Sequence, residues 1–390
     1  MSLAADLPAP LFELEATCPQ TGARAGRLHT PHGTILTPAF MPVGTVGSVR
    51  GIPQEFLETD LQANVLLANT YHLFLRPGTP VLEAAGGLHR FMSWERPILT
   101  DSGGYQVYSL AERRKLDPGG VTFRSHIDGS PQRFTPEGVV DIQRSIGPDI
   151  QMVLDECPPY PSDKTYARQS LQLTSDWARR ARRQFLAQEP LHDYPQLQFG
   201  IVQGSTYPDL RRQSVEETAA LDFEGNAIGG LSVGEPTEEL YDLTQLCCEL
   251  LPAQKPRYLM GVGTPANLLS CIARGVDFFD CVLPTRNARH SRLYYRDGIR
   301  TLTNLRYAAD FSPLDAESAL PQDRRYSKAY VRHLFHTGEQ LANTIASLHN
   351  LHLYLRLMAE ARAHILSGDF AAWQAGLVPA LGQKHGPAEA

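Results

Sequence analysis

The sequence predicts an α/β protein, a (β/α)8 TIM barrel with inserted hairpins and a C-terminal helical subdomain. Eight short apolar runs alternate with longer helix-like stretches, which is typical of a parallel sheet covered by helices. Eight such units favour a closed barrel. A doubly wound sheet is the alternative, but no G-x-G-x-x-G pattern follows the first run. The predicted strands span residues 37–43, 64–70, 97–102, 150–156, 198–204, 226–231, 257–262 and 276–283.

Helices are predicted between most of these strands. Two of them begin with a threonine followed by a proline, at Thr135 and Thr264, so a capping hydroxyl precedes a proline in the first turn. The predicted helices span residues 54–60, 136–146, 164–188, 207–220, 237–250 and 265–274.

Further segments interrupt or follow the barrel. A polar excursion around the third strand contains a predicted hairpin of residues 123–127 and 132–134. A second hairpin is predicted around Asp297-Gly298, and two helices, 326–344 and 349–366, close the fold. We therefore divide the chain into three parts. These are a barrel with the catalytic pocket at 1–300, a C-terminal subdomain at 301–376 and a disordered tail at 377–390.

The composition indicates an ordinary soluble globular protein, with 42% hydrophobic and 20% charged residues among 390. The net charge of −6 gives no overall attraction to nucleic acid, so a polyanion would need a local basic patch. No apolar run approaches the roughly 20 residues that span a bilayer, and no signal peptide is recognisable, so no membrane partner is expected. The six cysteines form no C-x-x-C pair, which favours a reducing cytoplasm.

The stretch 274–290 carries two carboxylates, Asp277 and Asp280, inside an apolar strand. It is expected to break at Pro284 into a basic loop with Arg286 and Arg289. Because carboxylates are rarely buried without a partner or a function, this pattern indicates a nucleophile or base beside an anion-binding loop. The alternative is a structural aspartate paired with one of those arginines.

Polar residues and glycines also cluster where the other predicted strands end. In TIM barrels the chemistry lies at the C-terminal ends of the strands, so these residues are expected to share one mouth. Glycines at strand ends are also ordinary turn residues, so each glycine alone is weak evidence for a functional site. The strand ends are 101–106, 155–157, 203–204, 229–231, 260–263 and Asp280.

Three aspartates, Asp101, Asp155 and Asp280, would point into this mouth. Two carboxylates across an anomeric carbon are the usual machinery of retaining glycosyl transfer, with one attacking C1′ and the other protonating the leaving group. A third carboxylate could bind a ligand with N–H donors, such as the edge of guanine. Residue types alone do not single out guanine.

Six short motifs occur along the chain in the order D-S-G-G-Y-Q, L-D-E-C-P-P, G-I-V-Q-G, I-G-G-L-S-V-G-E, Y-L-M-G-V-G-T-P and F-D-C-V-L-P-T-R-N-A-R. In this order they resemble the signatures of the tRNA-guanine transglycosylases, and the resemblance covers roughly residues 12–365. The family implies an irregular (β/α)8 barrel that exchanges the wobble guanine of G-U-N anticodons, in tRNAs for Asp, Asn, His and Tyr, for a 7-deazaguanine base in queuosine biosynthesis.

The resemblance assigns roles by position. Asp280 resembles the nucleophile that forms a covalent glycosyl-enzyme, and Asp101 resembles the general acid/base. The residues expected to bind or line the base are Asp155, Gln203, Gly230, Leu231, Tyr105, Met260, Cys157 and Val233. Those expected to contact the anticodon loop are Gly261, Val262, Gly263, Thr264, Pro265, Ala266, Asn267, Thr285, Arg286, Asn287, Ala288 and Arg289.

The resemblance also implies partners and substrates. Val233 in L-S-V-G-E resembles the bacterial pattern, which favours 7-aminomethyl-7-deazaguanine (preQ1) over queuine as the incoming base. A homodimer is expected. No cofactor is needed, because one glycosidic bond is traded for another. Further arginines, at 292, 296, 300 and 306, are expected to extend a basic patch for the tRNA; a solvated face is the alternative.

The chain departs from the family at a C-terminal zinc site formed by three cysteines and a histidine. The corresponding residues here are Ser318, Leu320, Asp323 and His349. Leucine cannot ligate zinc and serine rarely does, so the sequence predicts no metal. His349 is expected to be a hydrogen-bonded helix residue, and Asp323 is expected to pair with Arg324, Arg325 or a helix N-terminus.

Three alternative functions are disfavoured by the sequence. A non-catalytic tRNA-binding accessory subunit is disfavoured because all three aspartates are intact. An enzyme inserting deazapurines into DNA is disfavoured by the intact P-T-R-N-A-R segment. An unrelated barrel glycosidase would not need the residues expected to bind a base.

Overall fold

The computed structural model describes residues 7–110 and 114–385. These residues contain sixteen strands: β1 (Phe12–Thr17), β2 (Arg24–Thr30), β3 (Gly33–Thr37), β4 (Ala39–Met41), β5 (Leu66–Ala68), β6 (Ile98–Thr100), β7 (Arg114–Asp117), β8 (Gly120–Arg124), β9 (Pro131–Phe134), β10 (Ile150–Met152), β11 (Leu197–Val202), β12 (Gly225–Ile228), β13 (Arg257–Leu259), β14 (Phe278–Asp280), β15 (Arg292–Tyr295) and β16 (Gly298–Thr301).

The same residues contain fifteen α-helices: α1 (Gln54–Glu58), α2 (Thr70–Leu75), α3 (Thr79–Ala85), α4 (Leu88–Met92), α5 (Gly104–Leu110), α6 (Pro136–Ile146), α7 (Lys164–Ala187), α8 (Pro208–Ala219), α9 (Thr237–Leu250), α10 (Pro265–Ile272), α11 (Leu283–Ala288), α12 (Pro321–Arg325), α13 (Lys328–Thr337), α14 (Gln340–Ser367) and α15 (Phe370–Leu381). As predicted, Thr135 and Thr264 cap α6 and α10 through their hydroxyl oxygens.

Eight strands form one parallel sheet in the order β4, β14, β13, β12, β11, β10, β6, β5. A parallel bridge between Val43, just after β4, and Leu67 of β5 brings the two edges together, so the sheet closes into a barrel. The predicted fold is confirmed, with all eight predicted strands present. Each observed strand ends before its predicted run does, which leaves polar residues such as Asp101 and Asp155 in the loops above the barrel.

Successive strand residues face opposite sides of the sheet. Leu67 of β5 and Phe278 of β14 join one apolar cluster with Phe199, while Leu66 and Phe279 belong to a second cluster that includes helix residues. Because alternate residues of each strand pack on different sides, the barrel has a filled interior and a separate outer layer against the helices.

The antiparallel sheet β1–β3 closes the N-terminal end of the barrel. Arg24 of β2 donates through Nε to Asp277 Oδ1 (2.8 Å), and His32 in the β2–β3 turn donates through Nδ1 to Asp149 Oδ1 (2.9 Å). These two aspartates directly precede β14 and β10 and are fully buried. Asp277 is therefore a structural aspartate, and its partner is Arg24 rather than an arginine of the following segment.

Two boundaries near the C-terminus differ from the sequence prediction. The basic loop expected after Pro284 is the helix α11, in which proline occupies the first turn. The closing helices meet at Gly338, not near residues 345–348. Gly338 has a φ of 73°, a conformation that glycine adopts readily, and it ends α13 before α14 begins.

The disordered tail predicted from residue 377 is wrong for the part that the structure describes. Helix α15 continues to Leu381, and the Ile299 N–H in β16 then donates to the Gln383 carbonyl (2.8 Å). The His385 N–H donates back to the Ile299 carbonyl (3.1 Å). Residues 386–390 lie outside the described residues, and the domain division at residue 300 stays a prediction.

The polar excursion forms a three-stranded antiparallel sheet, β7–β8–β9, of which the predicted hairpin is the second half. The predicted pair around Asp297-Gly298 is confirmed as β15 and β16. Of the helices in the described ranges, none has both the length and the apolar character that a membrane crossing needs.

Candidate active site

A cavity of about 490 Å³ lies at the C-terminal ends of the barrel strands. This volume is within the usual range for small-molecule pockets. The residues that the sequence predicts to be catalytic or to bind the base come together in this one cavity, as the strand-end pattern predicts. All ten line the cavity: Asp101, Tyr105, Asp155, Cys157, Gln203, Gly230, Leu231, Val233, Met260 and Asp280.

Asp101 follows β6 and is 9% exposed. Its Oδ1 accepts from the Thr70 N–H (2.9 Å), and its Oδ2 accepts from the amides of Asn69 and Gln106. Burial, with a contribution from the nearby Asp280 charge, raises the pKa of Asp101 to about 6, although these hydrogen bonds oppose the rise. A carboxyl group with that pKa can both give and take a proton near neutral pH, as general acid–base catalysis requires.

Asp280 is the last residue of β14. Its Oδ1 accepts from the Tyr258 hydroxyl (2.6 Å) and from the Gly261 N–H (2.7 Å). Burial raises the pKa of Asp280, and these two hydrogen bonds oppose the rise. Among the described residues none donates to Oδ2, so that oxygen is left for a ligand.

Asp155 follows β10 on the adjoining side of the cavity. Gln203 donates through Nε2 to its Oδ2 (2.8 Å), and the Ser102 hydroxyl donates to its Oδ1 (3.2 Å). Burial raises the pKa of Asp155 to about 6, and these bonds limit the rise. Since Nε2 of Gln203 carries two hydrogens, one remains for a ligand acceptor. The pair thus offers acceptors and a donor along one wall.

The turn after β12 presents main-chain groups to the same wall. Arg211, which is fully buried, donates to the carbonyls of Gly229 (2.6 Å) and Gly230 (3.1 Å). Gly230 has a φ of 65°, and a Cβ there would collide with Gln203 Oε1. Because Arg211 holds both carbonyls, the N–H of Gly230 is the group left to meet a ligand. Only glycine fits this position.

The segment after this turn is held by Glu235. Its carboxylate accepts from the N–H groups of Ser232 and Val233, the second at 2.9 Å. Leu231 is 4% exposed and packs into the core, while Val233 lines the cavity. Glu235 therefore fixes the loop that shapes one side of the pocket.

Two side chains at the mouth suit a flat ligand. Tyr105 on α5 is 53% exposed, so its ring face is accessible, and Met260 packs partly against the barrel interior. Cys157 is buried, and burial raises the pKa of its thiol to about 12. It is thus a neutral wall residue rather than a thiolate nucleophile.

The two segments predicted to contact tRNA lie beside the cavity, and Gly261 and Arg286 line it directly. Four of their side chains are buried and are therefore not available for a direct tRNA contact. These are Val262, Pro265, Thr285 and Ala288. Asn267 is engaged in the capping box of α10, and Asn287 donates to the Tyr294 hydroxyl.

The basic patch is smaller than predicted. Arg296 pairs with Glu360 (2.6 Å) and Arg300 with Asp297 (2.6 Å), so these two charges are largely neutralised. By contrast, burial and the neighbouring charges of Arg50 and Arg286 lower the pKa of Arg289. Three guanidinium groups therefore share one region beside the cavity, and Arg50 was missed because it lies far away in the chain.

Three other residues of the site were also missed by sequence reasoning: Asn69, Tyr258 and Arg211. Asn69 could have been found, because it is polar and stands just beyond the end of β5. Tyr258 and Arg211 carried no such signal. Their hydrogen-bond partners, Asp280 and the turn at Gly229, are distant in sequence and become neighbours only in the folded barrel.

At the positions of the family's zinc ligands, the residues bond to each other. His349 is a hydrogen-bonded helix residue, as predicted: Nδ1 donates to Asp323 Oδ2 (3.0 Å) and Nε2 to the Tyr294 carbonyl (2.8 Å). Asp323 therefore pairs with His349 and not with Arg324 or Arg325, and it lies in the first turn of α12, at a helix N-terminus. Leu320 is buried and apolar, and the Ser318 hydroxyl accepts from the Leu320 N–H. This donor set does not fit a structural zinc ion.

Comparison with known proteins adds to this geometry. A family model described as queuine tRNA-ribosyltransferase matches residues 18–382. A queuine tRNA-ribosyltransferase of Ruminiclostridium cellulolyticum is 48% identical over 369 residues, covering 94% of this chain and 97% of that protein. One from Solibacter usitatus is 50% identical, covering 93% of this chain and 96% of the relative. A third, from Thermoanaerobacter pseudethanolicus, is 51% identical, covering 89% of this chain and 91% of the relative. The chain therefore belongs to the queuine tRNA-ribosyltransferase family.

Proposed function

We propose that the barrel cavity exchanges the wobble guanine of G-U-N anticodons for preQ1 by double displacement. As a family member the chain is a tRNA-guanine transglycosylase, a pentosyltransferase that acts on tRNA. The observation that carries the proposal is the meeting of three carboxylates, Asp101, Asp155 and Asp280, in one cavity.

In the first half of the reaction, Oδ2 of Asp280 attacks C1′ of the ribose as the bond from C1′ to guanine N9 breaks. Asp101 gives its proton to the departing base, consistent with its raised pKa. In the second half, Asp101 takes the N9 proton of preQ1, N9 attacks C1′, and Asp280 leaves as the carboxylate. Protons and bonds balance, so no cofactor takes part.

Asp155 recognises the base in this proposal. Its carboxylate accepts from the N1–H and 2-amino group of guanine or preQ1, while Gln203 and the Gly230 N–H donate to O6. Tyr105 and Met260 cover the two faces of the base. An anticodon loop is already partly unstacked, which lowers the cost of extracting its base.

The test is incorporation of labelled guanine into unmodified G-U-N tRNA. Wild type is expected to incorporate label and to form a tRNA adduct that survives denaturing gel electrophoresis. Asp280→Asn should do neither while still binding tRNA. Absence of label with wild type despite tight tRNA binding would favour the accessory-subunit function. Incorporation into DNA but not tRNA would favour a DNA transglycosylase.

We also propose that the C-terminal subdomain contains no zinc. The support is the mutual engagement of Asp323 and His349 together with the apolar Leu320. A chelator is therefore expected to leave the melting temperature unchanged, and metal analysis of the purified protein should find no stoichiometric zinc. A drop in melting temperature with chelator would refute this.

We also propose that the protein is a homodimer in a reducing cytoplasm. A homodimer is expected from the family, and light scattering during size-exclusion chromatography would measure the mass. A reducing cytoplasm suits the chain because all six cysteines are unpaired thiols.

A further inference from the structure

We propose that Tyr258 is a positioning residue that selects which oxygen of Asp280 attacks the ribose. The inference rests on the proposed function, in which Asp280 is the nucleophile. Tyr258 lies in the middle of β13, next to β14 in the barrel, and its side chain points to the last residue of that strand.

The two oxygens of Asp280 have different surroundings. The Tyr258 hydroxyl (2.6 Å) and the Gly261 N–H (2.7 Å) both donate to Oδ1. Within the described ranges, no donor reaches Oδ2. A carboxylate held by two donors on one oxygen has its rotation about Cβ–Cγ restricted, so Oδ2 is presented to the cavity in one orientation.

The donors also suit the chemistry of both half-reactions. When Oδ2 forms the ester to C1′, Oδ1 becomes the ester carbonyl oxygen and its negative charge is lost. When preQ1 displaces Asp280, the charge returns, and two donors are already in place to stabilise the departing carboxylate. The hydroxyl stays protonated as a donor, since burial and the Asp280 charge raise the pKa of Tyr258 well above its ordinary value.

The structure separates this role from packing. The Tyr258 ring is 1% exposed and belongs to the barrel interior, so Tyr258→Phe keeps the buried ring. In the described chain the hydroxyl donates to Asp280 alone. The variant therefore removes one hydrogen bond to the nucleophile and leaves the remaining contacts of the ring.

The experiment compares Tyr258→Phe with wild type and with Tyr295→Phe. Tyr295 is a matched control because it is also buried and donates to a carbonyl, that of Leu314, outside the cavity. Circular dichroism confirms that each variant is folded. Guanine exchange is then measured as kcat/KM against pH, and the covalent tRNA adduct is quantified during single turnover with excess preQ1.

Removing a hydrogen bond to a charged group is expected to lower kcat/KM by about tenfold in Tyr258→Phe. The acidic limb of the profile, to which the ionisations of Asp155 and Asp280 both contribute, should move to higher pH, because Asp280 loses a bond that favours its ionised form. The adduct should decay more slowly, because the leaving carboxylate has lost a donor. Tyr295→Phe should match wild type in all three readouts.

A rate, pH profile and adduct lifetime equal to wild type in Tyr258→Phe would overturn the inference. So would a lower rate with an unshifted profile and unchanged adduct lifetime, since that pattern indicates a structural role. Failure of the proposed function looks different: wild type itself would form no adduct that depends on Asp280, and both proposals would then fall.

Discussion

At the scale of single residues, the cavity combines buried carboxyl groups with donors drawn from several strands. Asp101 and Asp155 both have a pKa raised to about 6, chiefly by burial. The same burial that makes them chemically useful disfavours their ionised forms in the folded state. Functional carboxylates commonly lower the stability of the folded state in this way.

Asp155 should set an acidic limit on activity. Because its folded pKa is about 6, it is increasingly protonated below that pH and can no longer accept both donors of the base. We expect kcat/KM for guanine to fall by at least about tenfold per unit below pH 6, because Asp155 is a required ionisation and Asp280 is another. A fall in kcat/KM that begins only near pH 4 would contradict this prediction. Melting curves at each pH control for unfolding.

Gly230 should tolerate no side chain. Its φ of 65° is strained for other residues, and a Cβ would collide with the Gln203 amide. Gly230→Ala is therefore expected to raise KM for the base by about tenfold or more, since it displaces a binding group. Gly376→Ala is the control: a Cβ there meets nothing within 4 Å, in the middle of α15. Equal KM in both variants would refute the prediction.

At the scale of secondary-structure elements, the buried Asp323–His349 pair joins α12 to α14. Both partners of His349, a carboxylate and a carbonyl, can only accept, so both ring nitrogens carry hydrogen and the ring is an imidazolium. Burial opposes this charge, but Asp323 outweighs it and raises the pKa of His349.

This pair should make stability depend on pH. A folded pKa above the unfolded value of about 6.5 means that the stabilisation is present below pH 6.5 and is lost as pH rises through the folded pKa. At pH 6, Asp323→Asn should lower the free energy of unfolding by about 3–5 kcal/mol, as for a broken buried pair.

The difference between Asp323→Asn and wild type should narrow at alkaline pH, measured by denaturant unfolding. Asp369→Asn is the control, since Asp369 pairs with His364 at the exposed end of the same helix, where ion pairs contribute little. A pH-independent difference for Asp323→Asn would show that the pair is not ionised.

At the scale of the whole molecule, the cavity and the sheet that covers the barrel lie at opposite ends of the barrel. The C-terminal ends carry the cavity, while β1–β3 seals the N-terminal ends through Arg24–Asp277 and His32–Asp149. Arg24 also donates to the carbonyls of Ala253 and Lys255, so one side chain joins the start of the chain to the segment before β13.

Loss of Arg24 should therefore destabilise the fold without altering the pocket. Arg24→Met leaves Asp277 buried without its cation, and the expected cost is about 3–5 kcal/mol of unfolding free energy. KM for guanine should stay at the wild-type value below the melting temperature. Arg27→Met, which removes a more exposed pair with Glu15, should change the melting temperature little. A raised KM in Arg24→Met would contradict this separation.

The sequence by itself determined the barrel and ten of the residues that line the cavity. Strand and helix periodicities are local, and strand ends of a parallel barrel meet by geometry, so Asp101, Asp155 and Asp280 could be placed together from order alone. The hydrogen-bond and ion-pair partners of these side chains could not be predicted from the sequence. Any carboxylate in a chain can pair with any distant cation or hydroxyl, and only the folded structure joins Arg24 to Asp277, 253 residues away, Tyr258 to Asp280, and Asp323 to His349. Helix ends such as Gly338 also needed the structure, because packing decides which glycine breaks a helix.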